Sequence, residues 1–336
     1  MMRKSATTIG LLAMMMFALG CASRGDSGSS TTGEKVTTKL RVSLPLHLSA
    51  APLMIAQDEG FFRDEGLDVE FLPGLPHDES LVALVTGDID VRPGPVSIGF
   101  LSAIGQGAKI RITAGMGYLA REGCTFYGIV LRSGLDSAGA ARIKRIRTSL
   151  DGAQRYVTNA MLEQRSLSLQ TVESVRLPEA VVESSLQSGA IDAAAVQEPA
   201  LSRIAKSGTL WLSAQAATPD FQWAVITFGE RLLGRDREAG IRFLRAYRRG
   251  ILQYNGGKTA RNVEIVAKAT GESPEVIRNA CWTSFQSDSR INWASIDAFQ
   301  SFARAERLLA RSMSQSDVWD STFVRASDST RATRQP

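Results

Sequence analysis

The stretch from residue 40 to residue 74, LRVSLPLHLSAAPLMIAQDEGFFRDEGLDVEFLPG, restricts the possible folds more than any other part of the chain. Residues 40–43 have the aliphatic, β-branched character of a short strand, and a polar turn with Pro45, His47 and Ser49 follows. Leu53, Met54, Ala56 and Gln57 then carry a helical pattern, which Gly60 stops. A second strand, 68–72, closes at Pro73-Gly74. Strand, helix and strand joined this tightly predict a β-α-β unit and an open, largely parallel sheet. In such sheets the turn after a strand sets helix N-terminal N–H groups at the carboxyl end of the sheet, where ligands bind.

The rest of the chain repeats this pattern. Strands are predicted at 89–91, 110–114, 127–131, 146–149, 172–176, 193–196, 209–212 and 223–228, with helices at 79–86, 96–104, 152–163 and 179–188. Gly87-Asp88-Ile89-Asp90 and Gly189-Ala190-Ile191-Asp192 echo one another about a hundred residues apart, which fits two lobes of similar build. The small, polar segment 133–141 and the segment 217–222 read as crossings between those lobes. From Arg235 onward the pattern is helical, with Ile241, Leu244, Tyr247 and Ile251 on one face and Ile296, Phe299, Ala303 and Leu309 on another.

Three segments resemble a known family: APLMIAQDEGFFRDEGLDVEFLPG, LVALVTGDIDV and LQSGAIDAAAVQEP. They are similar to solute-binding proteins of the sulfonate, taurine and nitrate class of ABC importers, whose superfamily includes binders of thiamine-pyrimidine precursors. The resemblance covers most of residues 38–285. It implies an α/β, type II periplasmic-binding fold, with two doubly wound lobes, two crossings and a ligand cleft between the lobes. The expected division is a leader at 1–20, a tether at 21–37, a first lobe at 38–131 and 222–325, a second lobe at 132–221, and a disordered tail at 326–336. The implied function is capture of a small organic solute by hinged closure and its delivery to ABC permease subunits with their ATPase. The implied protein is a monomer in the cell envelope, extracytoplasmic (periplasmic in a Gram-negative source), with no cofactor.

Composition narrows the alternatives. A chain of 336 residues predicts about two domains. Its formal charge of +5 is spread along the sequence, and loss of a leader with Arg3 and Lys4 removes two of those charges. That falls short of a nucleic-acid-binding footprint. G-x-S-x-G, Walker and H-E-x-x-H motifs are all missing, so no enzyme activity is expected. The two histidines and the cysteines have no metal-ligand spacing. Cys124 and Cys281 lie far apart with no repeated spacing, and buried free thiols are the favoured reading.

Four turns at predicted strand ends supply the candidate ligand-binding residues. His47 and Ser49 follow the first strand, and His47 reads equally as a helix cap. Arg92 and Gly94 lie in a predicted turn after residue 91. Arg92 there would fork onto a carboxylate, sulfonate or phosphate, or would form a salt bridge with Asp88 or Asp90. In the ligand-facing case, its loss would weaken binding without disturbing the unliganded fold. Ser149, Gln154 and Tyr156 flank the matching strand end of the second lobe, where Asp151 reads as an ordinary N-cap. Glu198, before Pro199, is placed at the cleft rim or simply at a helix start. Trp223 is an apolar wall or plain core, and Arg242, Arg245 and Arg249 are a solvated helix face. Arg92 favours a sulfonate- or carboxylate-like anion. Tyr156 and Trp223 favour a neutral heteroaromatic vitamin precursor, and a non-transport sensor or adhesin lipoprotein of the same fold stays open.

The N-terminus reads as a processing segment. Arg3 and Lys4 precede an apolar run, 9–19, too short to span a bilayer, and Gly20-Cys21 resembles a lipobox despite Ala18 and Leu19. Lipid on Cys21 would hold the protein at a membrane, and an ordinary secretory leader cleaved nearby is the alternative. Cys21→Ser should therefore release the protein from membranes with its melting curve unchanged. Continued sedimentation with membranes would refute lipidation there.

Overall fold

In the computed structural model, which describes residues 37–328 apart from 137, 139–141, 150 and 151, two five-stranded sheets form the two lobes. The leader, most of the tether, Cys21, Asp151 and residues 329–336 lie outside the described residues. The strands are β1 (Thr38–Leu44), β2 (Leu67–Pro73), β3 (Val91–Gly94), β4 (Arg111–Gly115), β5 (Tyr118–Leu119), β6 (Tyr127–Leu131), β7 (Arg145–Arg147), β8 (Glu173–Val175), β9 (Ala193–Gln197), β10 (Thr209–Ser213), β11 (Phe221–Gln222) and β12 (Val225–Phe228).

The first sheet runs β2-β1-β3-β12-β4 and the second β8-β7-β9-β6-β10. Each carries one strand antiparallel to its neighbours, β12 in the first and β6 in the second. Both antiparallel strands come from the other lobe's side of a crossing, so each lobe is completed by chain that has just left its partner. Helices cover the sheets because the strands are apolar: Leu40, Val42 and Leu44 of β1 and all five residues of β6 are buried.

The two Gly-x-Ile-Asp motifs do the same work in both lobes. Gly87 (φ 83°) and Gly189 (φ 74°) end their helices in the left-handed region that glycine adopts most easily. Asp90 accepts the Arg41 N–H of β1 at 2.9 Å and pairs with Arg231 at 3.1 Å, just beyond β12. Asp192 accepts the Lys144 and Arg145 N–H groups at 2.9 and 3.2 Å and pairs with Arg132 at 3.2 Å, just beyond β6.

Four sequence expectations change. β6 belongs to the second sheet and not to a first lobe ending at 131, because its ladder partners are β9 and β10. The first crossing is therefore the stretch around β5, which pairs antiparallel with β11 of the return crossing. The C-terminal part is not confined to the first lobe. Helix Trp293–Ala305 packs on helix Gly152–Glu163, with Phe302 5.3 Å from Tyr156 and Arg155 3.7 Å from Glu306. The chain then returns, and Phe323 meets Phe228 of β12 at 5.2 Å. Ser327, inside the expected tail at 326–336, is buried. Lastly, Cys124 and Cys281 form a disulfide with Cα atoms 5.6 Å apart. Spacing is silent on this bond, because folding alone brings the first crossing beside the segment that follows helix Pro274–Asn279.

Gln222 joins the same hinge: its amide donates to the Met116 and Ala224 carbonyls at 2.9 and 2.8 Å and accepts the Asn292 N–H at 3.0 Å. Disulfides closing long loops restrict the unfolded chain most. Replacing both Cys124 and Cys281 by Ser should lower the unfolding free energy by about 2–4 kcal/mol in urea melts under non-reducing conditions. An unchanged midpoint would contradict that role.

Candidate functional site

The carboxyl ends of β1, β3, β7 and β9 converge from the two lobes, and the antiparallel β12 starts at the same end. Around that point the first lobe supplies His47 and Ser49 after β1, His77 at the start of helix His77–Thr86, and Gly94 and Pro95 at the close of β3. The second lobe supplies Gln154 and Gln197, and Trp223 with Ala224 leads into β12. The cavity they line is about 10 Å³, room for roughly one water. The lobes also touch directly beside it: the Ala153 N–H, at a helix start, donates to the Val96 carbonyl at 3.1 Å. The cleft is thus in a closed arrangement.

The structure gathers His47, Ser49, Gly94, Gln154 and Trp223 around one pocket. Trp223 is 3% exposed and held from behind by Phe126 and Tyr127, with ring centroids at 5.6 and 4.7 Å. The Tyr127 hydroxyl is in turn hydrogen-bonded to Thr158, 2.9 Å away. The other candidates stand elsewhere. Ser149 is half-buried and not part of the wall. Tyr156 turns away into a ring cluster with Phe221, Phe299 and Phe302. Glu198 is buried and accepts the Ser202 hydroxyl at 2.6 Å and the Cys281 N–H at 3.0 Å, so it ties the second lobe to the hinge rather than facing the cleft. Burial raises its carboxyl pKa against those hydrogen bonds.

Arg92 departs most from its expected place. It lies inside β3, paired in register with Thr227, and not in a turn beyond the strand. Pro93 follows it, in register with Ile226 of β12, where the β1–β3 pairing has already ended at Val91. Arg92 is 1% exposed, donating from Nε to Ser80 Oγ at 3.1 Å and from Nη1 to the Pro95 carbonyl at 3.3 Å. Ser80 Oγ also donates to the His77 carbonyl at 2.8 Å, which couples the arginine to the start of that helix. Asp90 pairs with Arg231, and the basic stripe is engaged by acids: Arg245 meets Glu65 at 3.1 Å and Arg249 meets Asp64 at 2.8 Å.

Two pocket residues escape sequence reasoning. His77 falls between a predicted strand and a helix predicted to begin at 79, and its place at a β-to-helix turn is the available signal. Gln197 is the neighbour of Glu198, and strand alternation sends one of the two to the cleft and the other away. Gln197 is 7% exposed, and its Oε1 has no hydrogen-bond partner among the described residues. His77 is exposed at the rim of the pocket, yet desolvation by the atoms crowded around its ring, the Arg92 charge and His47 lower its pKa to about 4. Burial also lowers the pKa of His47, with Arg147 acting in the same sense and Glu179 opposing them. At neutral pH both rings are uncharged, each with one N–H donor and one acceptor nitrogen. Among the described residues, no three His, Cys, Asp or Glu side chains group to hold a metal ion.

The chain matches the NMT1/THI5-like family over residues 48–254. Among solved structures, a ligand-binding component of an ABC-type import system from Staphylococcus aureus, with zinc bound, is 15% identical at a TM-score of 0.74, covering 86% of this chain and 98% of that one. The alkanesulfonate-binding protein SsuA from Xanthomonas axonopodis pv. citri, bound to MOPS, is 17% identical at a TM-score of 0.65, covering 84% and 98%. The desulfurization enzyme DSZB is 16% identical at a TM-score of 0.64, covering 88% and 100%. These likenesses establish the shared two-lobed fold. No curated protein sequence matches the chain.

The buried setting of Arg92 reverses one expectation from sequence. Arg92→Ala should destabilise the unliganded protein by at least about 1–3 kcal/mol, since Ser80 and Pro95 lose a buried charged donor. Arg92→Lys should recover only part, as an ammonium cannot span both acceptors in one plane. An unaltered urea midpoint for Arg92→Ala would show that these bonds contribute nothing.

Proposed function

This chain belongs to the NMT1/THI5-like family, and from that premise we propose that it is the extracytoplasmic solute-binding component of an ABC importer, taking a small organic anion by hinged closure of its lobes. The observation that carries the reading is the pocket between the lobes, where carboxyl ends of strands from both sheets converge beside the Arg92 guanidinium. An ideal Cβ built on Gly94 would lie 3.6 Å from Arg92 Nη1 and 3.5 Å from His77 Nδ1, so only a glycine's width separates these groups from the cleft. A solute bridging the lobes stabilises the closed form by its differential affinity for closed over open, and the permease with its ATPase reads that form. With about 10 Å³ of space in this arrangement, an organic solute is held only in a form whose lobes stand further apart here, with the Ala153–Val96 hydrogen bond broken, and that liganded form is the one the permease is proposed to read.

Arg92 and the polar wall support a sulfonate or carboxylate over a neutral heteroaromatic precursor. The heteroaromatic reading loses Tyr156, which packs against Phe221 outside the pocket, and keeps only Trp223. Lipid on Cys21, a monomeric state and location outside the cytoplasm belong to the same proposal. Likeness to a desulfurization enzyme keeps a catalytic reading in view.

Native mass spectrometry of gently purified protein, followed by thermal-shift titration with alkanesulfonates, dicarboxylates and aminopyrimidines, tests it. The expected result is a raised melting temperature with an anion, which is recovered chemically unchanged. Turnover of that anion would replace the binder with an enzyme, and stabilisation by aminopyrimidines alone would overturn the anion class.

A further inference from the structure

Both histidines of the described chain stand at one small pocket, although they lie in different loops of the first lobe. His47 follows β1, and His77 opens the helix after β2. Arg92 faces them from β3: its Cζ is 3.6 Å from the Cβ position at Gly94, and His77 Nδ1 is 3.5 Å from the same point. Across the cleft the charged groups are Arg147, in β7, and Glu179, at the start of the short helical turn Glu179–Val181; both act on His47. The uncharged wall opposite is Gln154, Gln197 and Trp223, with the Gln197 carboxamide oxygen lacking any partner among the described residues. Most polar groups this deeply buried are satisfied, so an unpartnered carboxamide oxygen beside two imidazoles marks a seat shaped for an entering polar group.

The geometry points to a proton-linked oxyanion seat, in which His77 with His47 takes up a proton from water when a small organic sulfonate enters against Gln197 and the Arg92 side of the pocket. This rests on the anion reading above and adds to it a defined role for the histidines. The bookkeeping is simple: a neutral imidazole uses the lone pair of its unprotonated nitrogen to accept one solvent proton, becoming a cation with two N–H donors, and no other bond changes. In the unliganded pocket desolvation disfavours a charged ring most, and Arg92 at His77 and Arg147 at His47 add to the effect. A bound sulfonate cancels part of the positive field and accepts the new N–H, so it favours the charged ring. A half-turn of the Gln197 amide presents its NH₂ to the same oxygens.

The sign follows from linkage. The free ring binds its proton only near pH 4 for His77, and the liganded ring binds it at higher pH. Affinity therefore rises as pH falls from the liganded pKa toward about 4 and levels off below it. A sulfonate stays ionised throughout, so the change belongs to the protein.

Calorimetric titration of the full chain with ethanesulfonate tests the seat, at pH 4.5 to 7.5 and in buffers of different ionisation heat, with dimethyl sulfone as the uncharged control. Affinity should increase by up to about tenfold per pH unit within the window, with a fraction of a proton, up to one, taken up per anion bound. His77→Gln should flatten the pH profile and remove most of the uptake. His47→Gln, as a second variant, should reduce both. Anion binding with no pH dependence and no proton uptake in the wild type would overturn the proton linkage and leave the importer reading standing. Failure of ethanesulfonate to bind at any of these pH values, or binding of dimethyl sulfone equally well, would overturn the seat and the anion reading beneath it.

Discussion

The carboxylate of Asp90 is the point on which the first lobe is assembled. It is 7% exposed, accepts a backbone N–H from β1 and pairs with Arg231 at the exit of β12. One buried side chain thereby sets three neighbouring strands, β1, β3 and β12, against each other. Charge-assisted hydrogen bonds of this kind are strong because their partners cannot be exchanged for water without rebuilding the site. Asp192 repeats the arrangement with β7, β9 and Arg132 after β6. Since the same three central strands carry the pocket residues at their opposite ends, the alignment imposed by each aspartate is felt where His47, Gly94 and Gln197 meet.

The exchange of antiparallel strands makes the two lobes interdependent. Neither sheet is complete without chain that has passed through the hinge, and that hinge is cross-linked by the β5–β11 ribbon, Gln222 and the Cys124–Cys281 bond. Glu198 adds a hydrogen bond from the second lobe to Cys281. A braced axis of this kind is the mechanical need of a protein proposed to close on its solute by rotation of its lobes. Across the cleft mouth, the Ala153–Val96 hydrogen bond lies next to the pocket.

The pocket is built to keep positive charge close without filling its own centre. Arg92 is fixed by Ser80 and Pro95, and Trp223 is fixed by two rings behind it, so neither needs to reorganise when the cleft closes. The histidines are the part proposed to adjust: desolvation and Arg92 lower the pKa of His77 at the exposed rim, and desolvation and Arg147 lower that of the half-buried His47.

Much of the architecture was legible in sequence because it is local. The β-α-β rhythm of 40–74 and the doubled Gly-x-Ile-Asp motif predict parallel strands in two similar lobes, and short-range backbone preferences suffice for both. His47, Ser49, Gly94, Gln154 and Trp223 were reachable because loops after strands must sit at the carboxyl edge of such sheets. What local pattern cannot decide is which way a side chain turns or which distant segment covers it. Strand register put Gln197 into the cleft and Glu198 out of it, and extended β3 far enough to bury Arg92. Packing of the C-terminal helix drew Tyr156 away, and chain crossing brought Cys124 to Cys281. The sequence by itself determined the kind of sheet and the edge where a ligand would meet it. Only the tertiary structure decided which residues face that edge, because facing depends on long-range register and on surfaces supplied by residues more than a hundred positions away.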